Sequence, residues 1–319
     1  MKGRMNMTNA VLRGKEYVGL HPEVRRRAIA QKQNYVVVDG KPYDTETGEY
    51  LGDRFTHDLT PNTTELQHQA FQSVQSLGNH EEENGGFIFA FFQQSRTISE
   101  RFETLNNADI ARLMYLGTYI AWNTGRLQYD NGRVITREGF DKLTGLSSKR
   151  AKELYNRYVD EGIISEVDGS IYMSQTVFYR GNIRSISSYT TDLQYTRLFK
   201  KTVRDLYEKS NGKTVGQLAL VYAVMPFLNF QTNIVCVNPD ESDTDRLQPM
   251  GLEQLAELLG YANASKLKAA MNRVKIDDKV VFGFFENPND RRQKRITVNP
   301  RVVFAGNGEQ LLAIKAQFN

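Results

Sequence analysis

The side chains best suited to chemistry in this chain are cations and one amide set along a helix. Lys149, Lys152 and Asn156 stand at i, i+3 and i+7, so they share one face of any helix that carries them. Lysine and arginine bond the O6/N7 edge of guanine, and asparagine bonds adenine through two hydrogen bonds. The set therefore suits base edges in a DNA major groove. Arg150 and Arg157 flank it, with Glu153 the single acid between 148 and 157. A second stretch carries Lys266, Lys268, Asn272, Arg273 and Lys275, with no acid between 264 and 276. A third cluster, Arg291, Arg292, Lys294 and Arg295, falls at the tip of a predicted hairpin, where it would grip phosphate. A merely solvated face is the plain alternative for any one of these. Recurrence in the same surroundings argues against it.

Both basic segments sit in one frame. Residues 140–158 (FDKLTGLSSKRAKELYNRY) and 255–274 (LAELLGYANASKLKAAMNRV) each run from a short apolar-periodic segment to a turn glycine, Gly145 or Gly260. A small polar cap follows, then the basic segment ending in Asn-Arg. The step from the glycine to that asparagine is 11 residues in one copy and 12 in the other. Each copy is trailed by a hairpin pattern and then by VFYRGN (177–182) or VVFAGN (302–307). Helix, tight turn, basic helix and hairpin is the wiring of a winged helix-turn-helix, whose second helix enters the major groove. Ala151, Leu154, Tyr155 and Tyr158 would turn inward in one copy, and Leu267, Ala270, Met271 and Val274 in the other.

The expected fold is thus mainly α with small β-hairpins (α+β), built as two tandem winged helices over 86–190 and 191–319 after an extension, 1–85. Residues 1–35 hold eight Lys/Arg against two acids, and 36–83 hold two against ten, so a basic arm precedes an acidic segment. Within the extension, 21–33 predicts a short basic helix, 35–53 a strand with turns at Asp39-Gly40 and Thr47-Gly48, and 56–85 a polar linker. The aromatic run 87–94 must be buried. A helix follows over 106–125, capped by Asn107; Thr136 caps the next, and Ser147 or Ser148 the basic one. Asp168-Gly169 turns the first hairpin. The two halves would be joined by 183–212, including a long helix near 192–209. The apolar block 213–230 resembles 107–123, with Trp122-Asn123 matching Leu228-Asn229. A short buried strand, 234–237, and a hairpin over 280–300, about nine residues longer than its counterpart, complete the second half.

Composition narrows the function. The single Cys236 excludes a disulfide framework and thiolate metal sites, and fits a cytoplasmic location; no apolar run approaches the roughly 18–20 residues of a membrane span. The chain reads as no enzyme and as needing no cofactor or metal. In 210–214 (SNGKT) the Walker A pattern fails because Tyr207 stands where a glycine is required. All four histidines, His21, His57, His68 and His80, precede residue 81, leaving no base in either repeat. Glu81, Glu82 and Glu83 beside His80 read as a solvated loop rather than a metal site.

NPRVVFAGN (299–307), its echo SQTVFYRGN (174–182) and DTETGEYL (44–51) resemble winged-helix replication and regulatory proteins of plasmids and phages of Gram-positive bacteria. The tandem arrangement over about 85–319 is similar to plasmid replication initiators with two winged-helix domains. The resemblance implies double-stranded DNA as partner, at a repeated origin or operator, recruitment of host replication proteins, and no catalytic residues. The long N-terminal extension departs from that pattern. A transcriptional repressor or activator with the same two modules, and a protein–protein adaptor, are the alternatives; a homodimer is compatible with each.

Overall fold

The computed structural model describes residues 35–39, 41–50, 65–93, 97–212, 214–286 and 294–318, and the chain divides into two compact units, Met1–Gln72 and Ser73–Asn319. In the first, Asp39 takes a left-handed conformation (φ 50°) and folds Tyr35–Val38 (β1) antiparallel onto Lys41–Asp44 (β2). The Asp44 carboxylate then accepts from the backbone N–H groups of Glu46 and Thr47, both at 2.9 Å, making the turn that leads into Gly48. Those two bonds hold its carboxyl below the usual range. Both turns fall where the sequence predicts them. The predicted basic helix at 21–33 lies outside the described residues, with the rest of the basic arm.

The helices and strands that follow are Glu65–Glu83 (α1), which begins in the first unit, Phe87–Phe92 (β3), Ile98–Arg101 (α2), Asn107–Gly117 (α3), Arg137–Thr144 (α4) and Ser148–Asp160 (α5). Ile164–Val167 (β4), Ser170–Met173 (β5) and Phe178–Tyr179 (β6) close the first repeat. Gln194–Phe199 (β7), Lys200–Lys209 (α6), Ala219–Val224 (α7), Leu252–Leu258 (α8) and Ala264–Arg273 (α9) come next. Lys275–Ile276 (β8), Lys279–Val280 (β9), Phe282–Glu286 (β10), Lys294–Val298 (β11), Val303–Phe304 (β12) and Gly308–Ala316 (α10) complete the described chain. It is a mixed helix-and-sheet protein. Among the described residues, no helix is long and apolar enough to cross a membrane.

One four-stranded antiparallel sheet, in the order β12-β7-β3-β6, organises the second unit. Alternation explains it: Ile88, Ala90 and Phe92 of β3 and Leu198 of β7 point to one face and are fully buried in the main core. Strand β7 corrects the expected helix at 192–209, of which only 200–209 is helical. Thr196 and Leu198 alternate with Tyr195 and Arg197, and pairing with the aromatic β3 stabilises the extended form. The expected linker 183–212 is therefore part of the sheet and core rather than a spacer. The boundary drawn near 190 lies inside one compact unit.

The duplication is written in hydrogen bonds. Leu127 N–H donates to Ile171 O in the first repeat, and Val235 N–H to Ile296 O in the second, both at 2.8 Å. Met173 N–H bonds Gly125 O, and Val298 N–H bonds Asn233 O; Gly125 and Asn233 share a positive φ. Phe91 N–H donates to Val177 O, as Phe199 N–H does to Val302 O. Phe89 and Arg197, which pair across the sheet's centre, are thus also equivalent positions, so the repeats are related by a half-turn. The equivalence sets Ile120, not Trp122, against Leu228, each bridging the next strand segment. The apolar block 213–230 is correspondingly broken: a 3₁₀ turn, α7, and a second 3₁₀ turn containing Pro226. Residues 234–236 make isolated bridges rather than a regular strand, and Val237 is exposed.

Polar anchoring explains two further departures. Residues 65–83, expected within a linker, form the 19-residue helix α1. Its end is held by His80, fully buried, whose Nε2 donates to Pro300 O at 2.9 Å while Nδ1 accepts from Asn84. Asn84 O accepts from Lys201 N–H, and the His80 ring meets Phe199 edge-on at 4.8 Å. His80 is therefore no solvated metal candidate. Burial, opposed by the bond to Pro300 and helped by the nearby Lys315, pushes its pKa below the ordinary 6.5. The unfolded chain then takes up a proton that the fold refuses, so stability falls as pH drops below about 6.5. Thermal melts between pH ~8 and ~5 should show this, and His80→Gln should flatten that part of the curve. Parallel curves for the two proteins would assign the acid sensitivity elsewhere. The other departure is small: Asn106, not Asn107, caps α3, accepting from Ala108 and Asp109 N–H.

Helix α1 also meets α10 closely. Gly308 N–H donates to Ser73 Oγ at 2.9 Å, and a Cβ at Gly308 would lie 1.9 Å from the Ser73 carbonyl oxygen. Backbone blocks backbone there, so Gly308→Ala should cost about 2–3 kcal/mol, read as a lowered midpoint in denaturant. An unchanged midpoint would mean that α1 does not seat on α10 in solution.

Candidate nucleic-acid interface

Two helix–turn–helix pairs carry the basic residues. In the first, Gly145 at φ 63° ends α4 in a left-handed cap, and Ser147 takes the N-cap position of α5. Ala151, Leu154, Tyr155 and Tyr158 are buried, as their spacing predicts. Phe140 of α4 meets Tyr155 and Tyr158 edge-on at 5.3 and 6.2 Å. The Arg137 guanidinium stacks 3.7 Å from the Tyr155 ring centre. Tyr155 donates to Glu166 at 2.6 Å, tying α5 to the β4–β5 hairpin, which turns at Asp168-Gly169. Burial and that bond raise the tyrosine to about 12, so it stays a donor. The helix pair and hairpin are thereby fixed to each other, and Lys149, Arg150, Lys152 and Asn156 remain exposed on α5's outer surface.

Arg157 does not join them. Its guanidinium pairs with Asp109 at 2.9 Å, and the carboxylate side chain is only 4% exposed, so this arginine is committed to holding α5 on α3. The sequence places it among the expected DNA contacts, and the fold gives its guanidinium this structural ion pair. Nothing in the sequence near 157 signals a partner 48 residues away.

The second pair repeats the scheme. Gly260 at φ 71° turns the chain, and Asn263 caps α9 by accepting from Lys266 N–H at 2.9 Å. Leu267, Ala270, Met271 and Val274 are buried, while Lys266, Asn272 and Arg273 are exposed. Lys268 is half-buried, its ammonium 5.4 Å from the Phe284 ring centre, so it braces α9 on β10. Lys275 is exposed but lies in β8, past the helix end. The β8–β9 hairpin, turned by left-handed Asp277 and Asp278, is an addition with no counterpart among the described residues of the first repeat. Of the third cluster, Arg291 and Arg292 lie outside the described residues. Lys294 and Arg295 open β11 opposite Glu286 and Phe285. As neighbours on a strand they point to opposite faces, Lys294 exposed and Arg295 half-buried.

Two features escaped sequence reasoning. Lys200 and Arg204, at 3.7 and 2.5 Å, share the Asp130 carboxylate and bind the 129–132 turn to α6. Burial drops the Lys200 amine to about 8. Trp122, the chain's only tryptophan, is 61% exposed beneath the Arg180 guanidinium, 5.9 Å from the ring centre. Its singularity was the available signal. Cys236 is buried, and burial pushes its thiol up to about 12. No protein-family model, characterised protein or solved structure matches the chain.

Proposed function

We propose that the chain is a sequence-specific duplex-DNA-binding protein in which two winged helices share one central sheet, and that it initiates replication of a plasmid- or phage-type element at a repeated origin. The observation that carries this reading is the paired placement of α5 and α9. Each is the second helix of a pair joined by a left-handed glycine turn, each is packed against the hairpin that follows, and each keeps cations and an asparagine outward. Exposed cations with asparagine fit base edges and phosphates together. An adaptor that had given up DNA would have no use for two such faces. Replication rather than transcriptional control rests on the resemblance to plasmid initiators, and mapping the bound sites across the genome of the host decides it. Sites confined to an origin support initiation, and sites at promoters overturn it.

The hairpin tip gives a separate test. Replacing Arg291, Arg292, Lys294 and Arg295 together with Gln should weaken binding to any duplex. It should also flatten log K against log salt by about 0.9 for each phosphate that the tip no longer neutralises. An unchanged slope would place the tip away from DNA.

A further inference from the structure

The internal duplication sets two versions of one surface in a single molecule. In the second repeat, Phe230 and Gly306 form a surface walled by α1: Ser73, Val74 and Leu77 line a single cleft with them, of about 460 Å³, and Ser73 bonds Gly308 N–H. The first repeat builds the same surface. Ala121 N–H to Arg126 O and Asn229 N–H to Ile234 O are equivalent bonds, at 2.8 and 2.9 Å, so Trp122 occupies the place of Phe230. From the paired bonds to Val177 and Val302, Arg180 stands for Ala305, Gly181 for Gly306, and Asn182 for Asn307. Both asparagines cap the helical segment that follows.

This surface is held rigidly. Asn123, left-handed at φ 59°, donates its N–H to Arg180 O at 2.7 Å. Its side-chain oxygen accepts from Tyr179 OH and Asn182 N–H, both at 3.0 Å. A Cβ on Gly181 would lie 1.9 Å from that oxygen. Trp122 beside it is left 61% exposed under Arg180, and an exposed aromatic on a rigid frame is a strong anchor for a partner.

We propose that Trp122, Arg180, Gly181 and Asn182 form a docking seat for an acidic amphipathic helix of a partner protein, equivalent to the seat that α1 walls in the second repeat. The differences between the repeats specify the occupant. Arg180 replaces Ala305, so the partner carries a carboxylate where α1 faces alanine. Ile183 replaces Gly308, so the incoming backbone stands off at that end and lies over Trp122 instead. Helix α1 supplies the pattern of such a ligand, with half-buried Leu77 packed beside the cleft, exposed Val74 at its rim and Glu81, Glu82 and Glu83 at its end.

A labelled peptide of residues 65–83, locked as a helix by an outward lactam bridge, is the probe. With the full chain it should bind saturably and shift the emission of Trp122, the single tryptophan. Arg180→Glu should weaken binding about tenfold, equal to about 1.4 kcal/mol, and Trp122→Ala should abolish it by anisotropy. Absence of binding, or equal binding by both variants, overturns the proposal. So does a shift of Trp122 emission by a thymidine oligonucleotide but not by the peptide, which would make the seat a base-stacking platform.

Discussion

Residues 86–190 and 191–319 expressed apart are each expected to be unfolded. Strands β3 and β7 pair over six residues, from Phe87 with Phe199 to Phe92 with Gln194, so a cut near 190 opens the centre of the sheet. Tyr115 stacks on Tyr207 at 4.0 Å across the same division, and Arg101 donates to Tyr222 OH at 2.6 Å. Ile88, Leu198, Phe199, Val221 and Leu116 are fully buried in cores of this one unit. Exposing five such side chains costs about 7–15 kcal/mol at about 1.5–3 kcal/mol each, as much as a whole domain's stability. Near-ultraviolet circular dichroism should show no fixed tertiary signal for either half, and co-expression should restore one. A cooperative melt from one half alone would show that the shared sheet is not what holds it.

On α5, Lys149→Ala, Lys152→Ala and Asn156→Ala should each reduce discrimination between a cognate and a scrambled duplex by about 1–3 kcal/mol, with melting unchanged. Arg157→Ala should do the reverse, because it leaves Asp109 as a buried carboxylate without its ion pair. About 2–4 kcal/mol of stability is expected to go, somewhat below the loss for a fully buried pair because Arg157 is 32% exposed. Titration of both duplexes beside a denaturant midpoint separates these outcomes. If the first three variants weaken both duplexes equally, they touch phosphate, and α5 does not read bases.

What was legible in the sequence was local. Turn glycines, caps and apolar spacing placed α4, α5, α8 and α9, and the two main hairpins, because those signals act within a few residues. The basic faces followed, since whatever does not pack is exposed. What failed depended on distant partners. Helix α1 has a helical apolar period only over Leu66–Leu77, and its end is anchored through His80 and Asn84 to Pro300 and Lys201, contacts that no local pattern announces. Strand β7 is selected by pairing with β3, which lies in the other repeat and outside any local window. Arg157 looked like its neighbours because only the fold brings Asp109 to it. The repeats were visible, but their fusion into one sheet was not, since pairing between distant strands leaves no local trace.

The proposal requires both α5 and α9 to meet the same duplex, and a hydroxyl-radical footprint on one labelled cognate site tests that most directly. The intact chain is compared with a variant carrying Lys266→Ala, Asn272→Ala and Arg273→Ala, all on α9's exposed side. The intact chain should protect two segments about one helical turn (about 34–36 Å) or a multiple apart. The variant should keep one segment and lose the other. A single segment protected equally by both proteins would contradict the account and leave α9 without a part in DNA recognition.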